Sequence, residues 1–499
     1  MAKKIYTQAT PKNLLFALMF IFTHTTPYLY GQTSIIENGI QQLINDPVMR
    51  HGQAGICIMD VQTGQVYGTY NQDMSLIPAS NMKIVTTAAA LKILGSDFTF
   101  RTDLQYEGEI KDSVLYGNVV IKGYGDPTLG SPLFDSIASF AMVLDSFALK
   151  IKTLGITKIN GKIIGDGTAF EKATAVSTWL WEDMGNYYGV GPSGLNIHEN
   201  LYYLNFFQNP SVGSPPSVFG TTPQVPHFKM YNEVNSAAGG GDNAYIYAAP
   251  YARTGIVTGT IPAGNGSFNI KGSIPDPPYL AAWHLKRVLI EKGIMVSDSA
   301  TTQIFLEQNG IPTLSRTTFF IWRSPDLATI VKRANLQSVN LYCEAMVRAI
   351  ALQQTGLGSN DKGTDIIKQF WQSKGINMDG FFMLDGSGLS PRNGITPYQL
   401  TQMLRTIGVD NQWFIPLNNS LPEAGKTGTM KGMFRSYPSV FGKLRAKSGT
   451  ISRVRAYSGY AVAQDGRQLA FSIILNNFTC SQNDIRKRLE KFMAEIVKL

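Results

Sequence analysis

Cysteine and histidine are scarce in this 499-residue chain, which has three of the first and five of the second. Cys57, Cys343 and Cys480 are too widely spaced for a disulfide framework, and none belongs to a Cys-x-x-Cys pair. Cys57 and Cys480 fall in apolar, strand-like runs and read as buried structural thiols. One bridge stays open to an oxidising compartment. His198-Glu199 has no second histidine at ligand spacing, so no metal site is implied, and the glycine-rich patches lack phosphate-loop or dinucleotide spacing. No cofactor is expected. A Gly-x-Ser-x-Gly elbow and a triad-like histidine are both missing. Charged residues make up only 16% of the chain, and no Arg/Lys block interleaves with aromatics, which excludes a nucleic-acid partner. After the first thirty residues no stretch approaches a membrane span.

What is present begins with a targeting segment over residues 1–31. Lys3, Lys4 and Lys12 precede the short apolar run Leu14 to Phe22, and small or turn-forming residues lead to a cut near Gly31. A buried helix or an uncleaved anchor is the alternative. The formal charge of +9 falls to +6 without those three lysines. Export to the periplasm as a protein with no integral span follows from this layout.

The length predicts two or three domains. Ile35 to Ile44 has helical spacing, and Ala54 to Asp60 with Gln65 to Tyr70 read as two strands. Pro78-Ala79-Ser80 then opens a helix that ends at Gly95. From about Phe98 short strands alternate with Gly/Asp turns, and Tyr187 to Gly241 reads as loop-rich. Helices return at Tyr279 to Lys292, Asp326 to Arg333 and Leu341 to Gln353. Ser452 to Ala463 and Gln468 to Asn476 form a hairpin, and a helix closes the chain. The pattern predicts an α/β domain from residues 34–100 and 279–499, interrupted by a mostly β insert over 101–278, itself two smaller β-rich units.

Three short motifs carry chemistry. In Ser80-Asn-Met-Lys83 the two polar residues share one helix face. The helix start favours negative charge developing on Ser80. An N-cap and a solvated lysine are the bland alternatives, yet Lys83 sits among Met82, Ile84, Val85 and alanines. Ser338-Val-Asn340 lies between two helices, where by itself Ser338 reads as an N-cap. Lys447-Ser448-Gly449-Thr450 enters the final hairpin, and its glycine would let a substrate backbone approach the strand. Lys426-Thr-Gly-Thr429 spells a similar motif but has no strand pair behind it, so the Lys447 copy is preferred.

In order and context these motifs resemble the active-site triplet of penicillin-recognising serine enzymes. The long gap between Ser80 and Ser338 requires an inserted domain. Gly123-Tyr-Gly-Asp-Pro-Thr-Leu129, Trp181-Glu-Asp-Met-Gly-Asn-Tyr-Tyr188, Asp385-Gly-Ser-Gly-Leu-Ser390 and Phe471-Ser-Ile-Ile-Leu-Asn-Asn477 narrow the resemblance to the D-alanyl-D-alanine carboxypeptidase/endopeptidase family, the class C penicillin-binding proteins. The resemblance implies a β-lactamase-like transpeptidase domain, an antiparallel sheet flanked by helices, acting on peptidoglycan peptides and acylated by β-lactams.

The resemblance also implies roles. Ser80 is the nucleophile and Lys83 its base, kept neutral by burial and by Lys447. Ser338 relays a proton, Asn340 holds Lys83 and the substrate amide, and Lys447 with Ser448 and Thr450 binds the terminal carboxylate. The backbone N–H groups of Ser80 and Thr450 form the oxyanion hole. Asp183, with Tyr188 beside it, and Arg392 would grip the peptide's third side chain, although Pro391 shifts the arginine by one position. A β-lactamase or esterase on the same fold, and a wall-binding protein with a relic site, are the competing readings.

Overall fold

The computed structural model describes residues 26–134 and 137–499. The expected targeting segment lies outside the described residues as far as residue 25; from Thr26 the chain is helical to Ile44. No helix among the described residues is long and apolar enough to cross a membrane.

The two ends of the chain build one five-stranded antiparallel sheet. Its order is Leu444–Ile451, Val454–Val462, Gln468–Asn476, Gln53–Asp60 and Val66–Tyr70. Period-two alternation explains why this sheet is covered on both faces. Along the central strand Phe471, Ile473 and Leu475 pack with Ile36, Ile40, Leu489 and Phe492 of the first and last helices. Ala470 and Ile474 point the other way, into a core with Met82, Ile84, Val85, Tyr342 and Trp371. The helices Met82–Ile93 and Asn340–Thr355 therefore lie against the sheet's second face. This is a mixed α+β architecture, and the sheet edge at Leu444–Ile451 adjoins the start of the Met82–Ile93 helix.

Four further sheets lie between Thr99 and Asp326. Two hold five and four strands; the other two are three-stranded. The insert extends past residue 278. The helix Pro277–Glu291, expected to begin the return to the catalytic domain, buries Leu280, Leu285 and Leu289 in the insert's own core. The strand Arg316–Asp326 pairs with Thr99–Glu107, and the chain leaves the insert only there.

The segment expected to be loop-rich also needs correcting. Residues Tyr187 to Gly241 contain the strands Leu201–Phe207, Ser217–Thr222 and Lys229–Ala237. Proline and glycine fall between these strands, and their solvent faces carry Asn, Glu and Lys, which weakens the apolar signal. Cys57, Cys343 and Cys480 are all free, and Cys480 is half-buried instead of sealed in the core.

Candidate active site

Pro78 leads into a 3-10 turn, Ala79–Asn81, that runs directly into the Met82–Ile93 helix. Ser80 is half-buried on this turn, and Lys83 one turn on is completely buried. Lys83 Nζ donates to Ser80 Oγ at 3.1 Å, to Asn340 Oδ1 at 2.6 Å and to the Ser387 carbonyl at 2.7 Å. Three acceptors around one buried amine hold it on the serine with no counter-ion in direct contact among the described residues. The Asn340 amide in turn donates to the Tyr188 carbonyl at 2.7 Å.

Ser338 does not cap the following helix. It takes a left-handed backbone conformation, φ 58°, at the end of Leu327–Gln337, and the next helix begins at Asn340. Such a conformation in a non-glycine residue costs about 1–2 kcal/mol. It sends the hydroxyl to Lys447, whose Nζ donates to Ser338 Oγ at 2.9 Å and to the Ser448 carbonyl at 2.7 Å. Lys447 is fully buried on Leu444–Ile451. Gly449 permits this closeness for a reason internal to the fold. A Cβ there would lie 2.5 Å from the Pro78 carbonyl oxygen, so only glycine lets the strand press against the turn that carries Ser80.

Burial and partners set the charges. Burial lowers the pKa of Lys83, opposed in part by Cys343, Asp385 and Glu344. Lys447 falls well below the ordinary lysine range, first through burial and then through repulsion from Lys83. Both lysines are thus shifted downward, burial leading in each, and the repulsion expected between them is seen on Lys447. Two buried ammonium groups in one cleft cannot both hold a proton cheaply.

Beneath Lys83 lies a polar network that the sequence reading missed. The Glu344 carboxylate accepts from the Ser387 N–H at 2.8 Å and the Gly386 N–H at 3.2 Å, fixing the carbonyl that Lys83 uses. Burial and neighbouring Asp385 raise its pKa to about 7. Arg348, also fully buried, lies 3.8 Å from it. Asp385 accepts from the Gly388 and Ser390 N–H groups and from Trp179 Nε1, which folds the Asp385–Ser390 loop. A Glu at 344 and an Arg four residues later on a buried helix were the available signal.

The remaining expected residues divide. Ser448 Oγ meets Thr429 Oγ1 at 2.9 Å, and Thr450 Oγ1 accepts from Arg455 at 2.8 Å. Burial together with Glu182 raises the Asp183 pKa to about 6, opposed by the neighbouring Tyr188 hydroxyl. Arg392 is exposed; its backbone N–H donates to Ser390 Oγ, and no side-chain bond joins it to Asp183 among the described residues.

The sequence profile of the D-Ala-D-Ala carboxypeptidase 3 (S13) family matches residues 36–496. The chain belongs to the S13 family. Its members are serine peptidases, and this chain's similarity to named relatives runs nearly end to end. It is 27% identical over 458 residues to a D-alanyl-D-alanine carboxypeptidase of Actinomadura sp. (strain R39), covering 88% of this chain and 81% of the relative. To the D-alanyl-D-alanine carboxypeptidase DacB of Haemophilus influenzae it is 24% identical, covering 88% of each. The crystal structure of penicillin binding protein 4 from the same organism superposes with a TM-score of 0.76 at 23% identity, over 92% of this S13 chain and 97% of the other, and shows the shared fold.

Proposed function

We propose that this chain removes the terminal D-alanine from peptidoglycan stem peptides through an acyl-enzyme on Ser80. The observation that carries the proposal is Lys83 Nζ at 3.1 Å from Ser80 Oγ, fully buried and with a lowered pKa. A neutral lysine is the base a serine needs where no histidine is at hand.

Ser80 Oγ attacks the carbonyl of the penultimate D-alanine, and Lys83 takes its proton. The terminal carboxylate enters beside Lys447, Ser448 and Thr450. Its negative charge restores the proton on Lys447, and that cation then keeps Lys83 neutral. The oxyanion rests on the backbone N–H groups of Ser80 and Thr450. As the tetrahedral intermediate collapses, the proton that Lys83 took is relayed through the Ser338 hydroxyl to the leaving amine, which leaves Lys83 neutral and Ser338 unchanged. Water then attacks the ester, Lys83 again acting as base, and Ser80 is released. Asn340 spans Lys83 and the Tyr188 loop and orients the substrate amide. Asp183 and Tyr188 line the approach for the third side chain. The same steps serve an endopeptidase cutting D-alanyl cross-links, since only the leaving amine differs. The N-terminal basic and apolar segment supports export to the periplasm, where this substrate lies.

Incubating the protein with a fluorescent penicillin and resolving it on a denaturing gel tests the reading. A long-lived band in the wild type and none in Ser80→Ala is expected. No band in the wild type, or a band persisting in Ser80→Ala, overturns it, and a band that decays within seconds marks a β-lactamase.

A further inference from the structure

The insert's sheet Lys229–Ala237, Thr254–Pro262, Asn243–Tyr247 turns one face inward, where Val234, Ile246 and Val257 are buried. Its other face is exposed and sets Tyr231, Tyr245 and Tyr247 among polar residues. The register sets Tyr231 beside Ile256 and Ile256 beside Tyr247 in one row across the three strands. Tyr231 is 50% exposed and Ile256 44%. The row continues beyond the sheet edge, because the Tyr247 ring lies 6.2 Å from Trp181, itself 54% exposed. With strands about 4.8 Å apart, the track is on the order of 15 Å long.

One loop joins this sheet to the residues around Lys83. Trp181 opens the short helix Trp181–Met184, which carries Asp183 and leads to Tyr188. Asn186 clamps that loop on the sheet: its Oδ1 accepts from the Ile246 N–H at 3.1 Å and its Nδ2 donates to the Ile246 carbonyl at 3.3 Å. Gly185 lets the two come together, since a Cβ there would lie 2.0 Å from the Ile246 oxygen. The Tyr188 carbonyl at the far end of the loop accepts from Asn340. The loop thus links the sheet that carries the aromatic row to Asn340, which holds Lys83.

The geometry points to this row as a track for the glycan strand of the cell-wall polymer, holding the sugar backbone while its stem peptide reaches Ser80. The inference rests on the peptidase reading above. Aromatic faces attract the C–H faces of pyranose rings, as their quadrupole is negative at the face. Beside the row, on the same solvent face, Glu233 pairs with Thr258 in the next row and Asn235 follows, where they meet sugar hydroxyl and acetamido groups. Glu182 and Glu233 are exposed beside the row and outnumber Lys229, which packs over Tyr231, so the track lacks the net positive charge a nucleic acid requires. Continuity with the cleft, and not the apolar area alone, selects the polymer over a second protein.

Tyr231→Ala/Tyr247→Ala in the full chain tests the track. Turnover of a soluble N-acylated D-alanyl-D-alanine peptide should stay within about twofold, since neither ring touches the reacting groups. Co-sedimentation with intact sacculi, and D-alanine release from them, should each fall about tenfold, as lost base-stacking contacts do in comparable aromatic platforms. Glycan strands freed of peptide by an amidase should compete with sacculi for the wild type. Unchanged sacculus binding in the double variant overturns the track, as does failure of the peptide-free strands to compete. Tyr231→Thr/Ile256→Thr, which keeps strand propensity, answers the same question if the first variant misfolds. Lack of soluble-peptide turnover in the wild type would sink the peptidase reading and leave the glycan competition as a separate result.

Discussion

Lys426-Thr-Gly-Thr429 and Lys447-Ser-Gly-Thr450 share almost the same letters and nothing of their surroundings. Lys426 is 71% exposed and pairs with Glu423 at 3.4 Å beside a short 3-10 turn, Gly428–Met430. Lys447 is sealed from solvent on a sheet edge and bonded to Ser338. An ion pair made by so exposed a lysine is worth about 1 kcal/mol at most, whereas burial pushes the Lys447 pKa well down. Chemistry lies in the strand that carries a motif. The two copies nevertheless touch, through Thr429 and Ser448, so the outer copy supports the inner one.

The largest expected effect separates the two lysines. Lys447→Ala should slow penicillin acylation on the order of 10³-fold, while Lys426→Ala stays within about twofold; stopped-flow or gel-based labelling rates read both, and equal losses would erase the distinction. Gly449→Ala should cost about 10²-fold in the same assay, because its Cβ must move off the Pro78 carbonyl and displace the strand from Ser80. Thr429→Val removes the hydroxyl partner of Ser448, a bond worth about 1 kcal/mol, and should raise KM for a D-alanyl-D-alanine peptide about fivefold with kcat nearly unchanged. Ser448→Thr keeps the hydroxyl and should alter kcat/KM least, within about twofold.

The pH profile sharpens the contrast further. Lys83 must lose its proton before it can act as base, so acylation should climb with rising pH through a pKa below that of an ordinary lysine. Asp183 adds a second limb near pH 6 for substrates with a cationic third side chain, since its carboxylate forms only above that value. Asp183→Asn should abolish that limb and spare the first, as rates against pH would show.

The architecture of the chain ends was legible in the sequence because strand alternation and the final helix are strongly patterned there. Ser80 and Lys83 stood out through a charge on an apolar helix. Other features came from tertiary packing and left little local trace. The backbone of Ser338 is left-handed because Lys447 and two helix ends fix it, and no residue preference of serine suggests that. Arg455 meets Thr450 only through cross-strand register. The strands from Leu201 to Ala237 are short and polar on one side, so turn residues outweighed their alternation. The signal for Glu344 and Arg348 was present, as two opposite charges one turn apart on a buried helix, but the network they serve depends on the Asp385 loop folding over them.

The sheet closes the chain on itself: the Ile77 N–H donates to the Asn476 side chain across 399 positions. A ribosome or an export channel delivers residues in order, so Ser80 and Lys83 emerge long before Lys447 and the strand that presents it. Loop closure over such a distance must precede any contact that rewards it. An unfinished chain therefore carries Ser80 and Lys83 without Lys447, and the cluster is completed only with the last strands of the fold.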